Sequence, residues 1–103
     1  MIRLIVRPAA EADIQETCIW YWRNDTALAD KFIDELRATL RRIREMPRQF
    51  PDVGGARRAL FHRFSYAVYF VLPNESQVIV IAVVRQSRRP AAWRTRLKSE
   101  GAG

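Results

Sequence analysis

Residues 66–84 read YAVYFVLPNESQVIVIAVV. Two runs of β-branched and aromatic residues flank Pro73-Asn74-Glu75-Ser76. That composition predicts two strands, about 66–72 and 77–84, joined by a tight hairpin. The second run is apolar almost throughout, as expected of the central strand of a sheet. Just upstream, residues 57–63 read as a third strand. Short connections between these three strands predict an antiparallel meander.

Further upstream the period changes from two to between three and four. In residues 27–46, Leu28, Phe32, Leu36, Leu40 and Ile43 recur at helical spacing, with Asp30, Lys31, Glu35, Arg37, Arg41 and Arg42 mostly off that stripe. Arginines crowd the C-terminal half, the end of a helix that favours cations. Residues 9–23 predict another helix, through Ala10, Ile14, Cys18 and either Tyr21 or Trp22. Asn24 and Asp25 interrupt the pattern, and Asp25 or Thr26 suits the cap of the second helix. So short a link makes the two helices an antiparallel hairpin. Trp20, Tyr21 and Trp22 cannot all face one side, so at least one belongs to a second surface.

The chain opens with IRLIV at 2–6, a strand that Pro8 stops. Pro8 fits the first turn of the helix that follows. Pro47, Pro51, Gly54 and Gly55 mark 47–56 as a loop. After the last strand, Pro90 can start a short helix with Trp93 and Leu97 on one side. The element order β-α-α-β-β-β thus predicts an α+β domain. Its helical hairpin packs on one face of a small antiparallel sheet, and a short C-terminal helix follows. The domain is expected to span 1–98, with a flexible tail at 99–103.

The 103 residues fit one domain. The formal charge of +7 attracts polyanions such as nucleic acid, an acidic protein segment or an anionic membrane. Only Lys31 and Lys98 are lysines. An arginine bias suits flat bidentate docking to carboxylate or phosphate, and it equally fits a compositional bias. The one cysteine, Cys18, rules out an internal disulfide, suggests a reducing compartment and reads as a small core residue. The apolar opening is too short for a signal peptide or a membrane span, so a cytoplasmic protein without membrane partners is expected.

No metal or cofactor site is expected. His62 and Cys18 lie far apart without clustered acids, and Gly54-Gly55 reads as a turn. An RNA-cleaving site would need a base, an acid and phosphate-stabilising cations, and His62, Arg63, Tyr66, Tyr69 and Arg85 all fall on or near the sheet. Tyr66 and Tyr69 cannot share a strand face, because their spacing is odd. No catalytic set is therefore assigned, and His62, Arg63 and Arg85 remain the alternative. Arg85, Arg88, Arg89, Arg94 and Arg96 surround Trp93, the composition of a polyanion-binding or protein-binding surface. Trp93 itself reads as a staple holding the last helix on the sheet.

Several of these stretches carry a family resemblance. They are the opening strand with Pro8, Ala10 and Asp13-Ile14; Ala29, Phe32 and Leu36; Met46-Pro47; His62-Arg63-Phe64-Ser65-Tyr66-Ala67-Val68-Tyr69-Phe70, similar to an HRFPYxVYY strand; and Arg88-Arg89-Pro90-Ala91-Ala92-Trp93, similar to an RxPxxW ending. In this order they resemble the RelE/ParE toxin superfamily of bacterial type II toxin–antitoxin systems, most of all the ParE branch. The resemblance implies a helical hairpin on a small sheet and an inhibitor of DNA gyrase that acts by binding. It implies a cognate ParD-like antitoxin whose acidic C-terminal segment wraps the toxin, with operator DNA reached only through that antitoxin. Arg63, Tyr69, Arg85, Arg88, Arg89, Trp93, Arg96, Trp20 and Trp22 are the residues expected to meet antitoxin or target. The alternative is the RelE activity, ribosome-dependent cleavage of mRNA. Against it, Arg85 stands where the family often has His, and Arg stays protonated. No tyrosine follows Tyr69.

Overall fold

The computed structural model describes residues 2–87 and 90–99. Strand β1 (Arg3–Val6) leads into helices α1 (Pro8–Asn24) and α2 (Thr26–Glu45) and a single 3-10 turn at Pro47–Gln49. Strands β2 (Arg57–Leu60), β3 (Tyr66–Asn74) and β4 (Gln77–Arg85) follow, then helix α3 (Ala91–Ser99). The expected tail at 99–103 therefore starts inside a helix, and 100–103 lie outside the described residues.

Local chemistry explains the helix limits. Pro8 occupies the first turn of α1, where its missing N–H costs nothing. Asp25 caps α2: its carboxylate accepts the N–H groups of Ala27 and Leu28 at 3.0 and 3.4 Å. Ala29, Phe32, Leu36, Thr39 and Ile43 form the buried stripe of α2. Thr39 is fully buried and places its hydroxyl on the Glu35 carbonyl at 2.8 Å.

The sheet order is β1-β4-β3-β2. The meander of β2, β3 and β4 is antiparallel, as expected. β1 corrects the expectation of a wholly antiparallel sheet, because it pairs parallel with β4 from Arg3↔Gln77 to Val6↔Val80. The cause is α2. It returns the chain to the end where β1 began, and Arg44 near its C-terminus donates from Nε to the Ile2 carbonyl at 3.0 Å. β2 then runs in the direction of β1, and two reversals bring β4 alongside in that same direction.

Both sheet faces are covered. The helical hairpin packs on one face, where Phe32 and Ile43 meet Val68, Phe70, Val78, Val80 and Val83. Trp93 and Leu97 of α3 close the other face over Tyr69, Ile79, Ile81 and Val84. β4 switches phase within this sandwich. Tyr69 pairs with Ala82 but Phe70 pairs with Val80, so Ile81 is an extra residue. Ile81 and Ala82 consequently both face α3, a β-bulge in the middle of the apolar run.

Candidate partner-binding surface

The bulge creates a tightly organised polar site. A bulge leaves ladder groups without strand partners, and buried ones must be satisfied elsewhere. Here Asp13 of α1 accepts the Val83 N–H on Oδ2 at 2.9 Å. Arg96 of α3 donates to the Ile81 carbonyl at 3.1 Å. The two side chains also pair with each other, Nη1 to Oδ2 at 2.5 Å and Nη2 to Oδ1 at 3.1 Å. Asp13 is buried while the Arg96 side chain is 27% exposed. Arg96, expected on a binding surface, thus has its guanidinium committed inside the fold. Asp13 escaped notice as a site residue. Its signal was an acid on the apolar stripe of α1, three residues after buried Ala10.

A groove opens beside this pair, between α1 and the end of β4, lined by Asp13, Glu16, Trp20, Tyr66, Arg85 and Ser87 among others. Arg85 is the last residue of β4, directly opposite Tyr66 in register. Its guanidinium sits 5.4 Å from the Tyr66 ring centroid, a cation–π contact that holds the charge at the groove wall. Tyr21 lies behind. Burial pushes its hydroxyl above the usual phenol range, and Tyr66 raises it further through charge and a hydrogen bond, while Arg85 pulls the other way. Trp20 and Trp22 are each 54% exposed, with Ile19 at 45%. Tyr21, between the two tryptophans, is the member of that run that faces the core.

His62 and Arg63 are placed elsewhere. They form the turn after β2, and their backbone N–H groups donate to Glu35 Oε2 at 3.2 Å and Oε1 at 2.9 Å. With Lys31, Asp34 and Glu35 they line a separate cleft against α2. The alternative set His62, Arg63 and Arg85 is therefore split between two clefts. Tyr66 and Tyr69 fall on opposite faces, as their spacing demanded, yet both are buried. Tyr69 is stacked on Trp93 at 5.0 Å and 15°, which makes Trp93 the staple of α3. Arg88 and Arg89 lie outside the described residues. Among the described residues no group of three His, Cys, Asp or Glu side chains is placed to hold a metal ion, and no helix is long and apolar enough to cross a membrane. Cys18 is buried, and burial raises its thiol.

The sequence matches the family model described as "ParE toxin of type II toxin-antitoxin system, parDE" over residues 4–90. The chain belongs to the ParE toxin family. Among solved structures, the chromosomal ParDE toxin–antitoxin system from P. aeruginosa is similar, with 17% identity, a TM-score of 0.70, and coverage of 82% of this chain and 96% of that one. At that identity the likeness concerns the fold. No curated protein sequence matches the chain. Within the groove Trp20 and Arg85 stand together, an aromatic beside an arginine, whereas Trp22 and Ile19 lie on another side of α1.

Proposed function

We propose that this ParE-type toxin acts by binding DNA gyrase and blocking its cycle, and that a ParD-like antitoxin with an acidic C-terminal segment neutralises it. The observation that carries the binding reading is the environment of Arg85. A permanently charged guanidinium stands over Tyr66 at the head of the groove, and the chain's one histidine lines a different cleft. An arginine there supplies charge and donors for a protein partner, and it cannot relay a proton at neutral pH. Exposed Trp20, in the same groove, supplies an apolar anchor of the kind such an interface needs.

The experiment is a supercoiling assay with purified gyrase, run beside total mRNA from cells induced to make the toxin. Inhibition of gyrase that is relieved by the co-expressed antitoxin supports the proposal. Rapid cleavage of mRNA on ribosomes with gyrase unaffected sinks it in favour of the RelE-type activity.

A further inference from the structure

Residues 37–48, the C-terminal half of α2 and the turn after it, carry Arg37, Arg41, Arg42, Arg44 and Arg48 against the single acid Glu45. At about 100° per residue, Arg37, Arg41 and Arg44 fall within about 60° of helix arc, spaced along about 10 Å of axis. All three are exposed, as is Arg48. Asp30 and Asp34 share that side of the helix but lie in its N-terminal half.

What surrounds these cations is informative. Arg44 is held by the Ile2 carbonyl. Arg42 donates to the Leu60 carbonyl at 3.1 Å and the Thr39 hydroxyl at 3.2 Å. Arg57, next to them on β2, donates to the carbonyls of Phe50 at 2.6 Å and Arg48 at 3.2 Å. Its acid neighbour Asp52 is already engaged by the N–H groups of Gly54 and Gly55. Among the described residues, none of Arg37, Arg41, Arg42, Arg44 or Arg48 has a carboxylate at salt-bridge distance. Arg42 and Arg44 are therefore fixed in place by neutral oxygens, with no carboxylate partner among the described residues. Stability alone gains little from gathering unneutralised cations, whereas a preorganised cationic face is what a polyanion recognises.

The outward arc also lacks exposed apolar side chains. Exposed Ile19, Trp20 and Trp22 belong to α1, exposed Leu60 ends β2 beside Arg42, and Arg42 and Met46 fall about 130° and half a turn from the middle of the arc. An acidic amphipathic peptide needs both charge and apolar anchors. A phosphate backbone needs charge and donors alone. We propose that the arginine face of α2 is a docking surface for duplex DNA, gripping its phosphates without reading sequence. This contact is separate from the groove around Arg85 and differs from the expectation that DNA is reached only through the antitoxin.

The test uses the full chain and a fluorescently labelled duplex of random sequence, with binding followed by anisotropy across a salt series. The variant R37Q/R41Q/R44Q is compared with R23Q/K31Q/K98Q, which removes equal charge from exposed positions off the arc. The α2 variant is expected to bind at least about tenfold more weakly near 50 mM salt and to flatten the slope of log K against log salt by about 2 to 3, one phosphate contact per arginine. The control is expected to change by less than about threefold. Equal losses in both variants would reduce the effect to net charge and overturn the proposal. So would tighter binding of an acidic amphipathic peptide than of DNA at the same face, or no DNA binding by the parent chain. Thermal melting and capture by the antitoxin are measured on the same α2 variant. Retention of both shows that loss of DNA binding is neither misfolding nor failure of the toxin reading.

Discussion

Asp13 and Arg96 lie 83 positions apart in the chain and meet in a two-pronged ion pair across the bulge of β4. The Nη1–Oδ2 prong also serves the backbone: Oδ2 of Asp13 accepts the Val83 N–H and Nη1 of Arg96 donates to the Ile81 carbonyl. One pair thus ties α1, β4 and α3 together. Because Asp13 is buried, removing its partner leaves an uncompensated carboxylate. R96Q is expected to destabilise the protein by about 2 to 3 kcal/mol, below the usual figure for a fully buried pair because Arg96 is partly exposed. D13N keeps an acceptor for Val83 and is expected to cost less. Urea unfolding of both single variants and the double variant checks this. Strictly additive losses would show that the two side chains do not act as a pair.

Gly55 has φ of +100°, and a Cβ there would meet Leu97 Cδ2 at 2.8 Å. G55A therefore strains the loop and pushes on α3 together. A loss of about 1 to 3 kcal/mol is expected. Red-shifted Trp93 emission would accompany it, although Trp20 and Trp22 contribute a constant background. G55A/L97A is expected to recover the steric part only. Full recovery in that double variant would mean that backbone strain contributes nothing.

Asp52 accepts the N–H groups of Gly55 at 2.8 Å and Gly54 at 2.9 Å. These bonds, Gly55 first, hold its carboxyl below the usual range, with Arg57 helping and a slight desolvation opposing. A lowered folded value means that the charged form is preferred in the folded state. Its stabilisation is present above the unfolded value of about 3.9 and is lost as pH falls through the lower folded value. Acid melts should therefore show a steeper decline for the parent chain than for D52N. Parallel curves would show that the glycine turn contributes no pH dependence.

Arg85 is exposed, and its one contact of note is with the Tyr66 ring. R85Q is expected to leave the melting temperature within a degree or two of the parent, in line with surface substitutions of about 0.5 kcal/mol or less. It should nevertheless weaken gyrase inhibition by about tenfold or more if Arg85 is an interface anchor. R96Q makes the contrasting control, since it acts through stability. Undiminished inhibition by R85Q would remove Arg85 from the binding surface.

Much of the fold was legible because period and punctuation agree locally. The stripe from Phe32 to Ile43, the cap at Asp25 and the hairpin after Pro73 each follow from a few neighbouring residues. The parallel seat of β1 did not, since it depends on where α2 delivers the chain. Nor did the bulge: in VIVIAVV at 78–84 every residue is apolar, so a change of phase at Ile81 and Ala82 leaves no mark on composition. The site was read less completely. Arg85 and the tryptophans of α1 were identifiable from charge and from three aromatics in a row. Arg96 looked like another surface cation, and Asp13 carried no site reading of its own, because only the folded sheet brings positions 13 and 96 together.

The parallel pairing of β1 with β4 also bears on timing. Residues 3–6 are made 74 positions before their hydrogen-bonding partners at 77–80, and Arg96 follows later still. Until then the strand has nothing to pair with and Asp13 has no counter-charge. At about 5 to 20 residues per second, the interval amounts to several seconds of synthesis. The nascent sheet thus stays open across that interval and closes only once β4 has emerged.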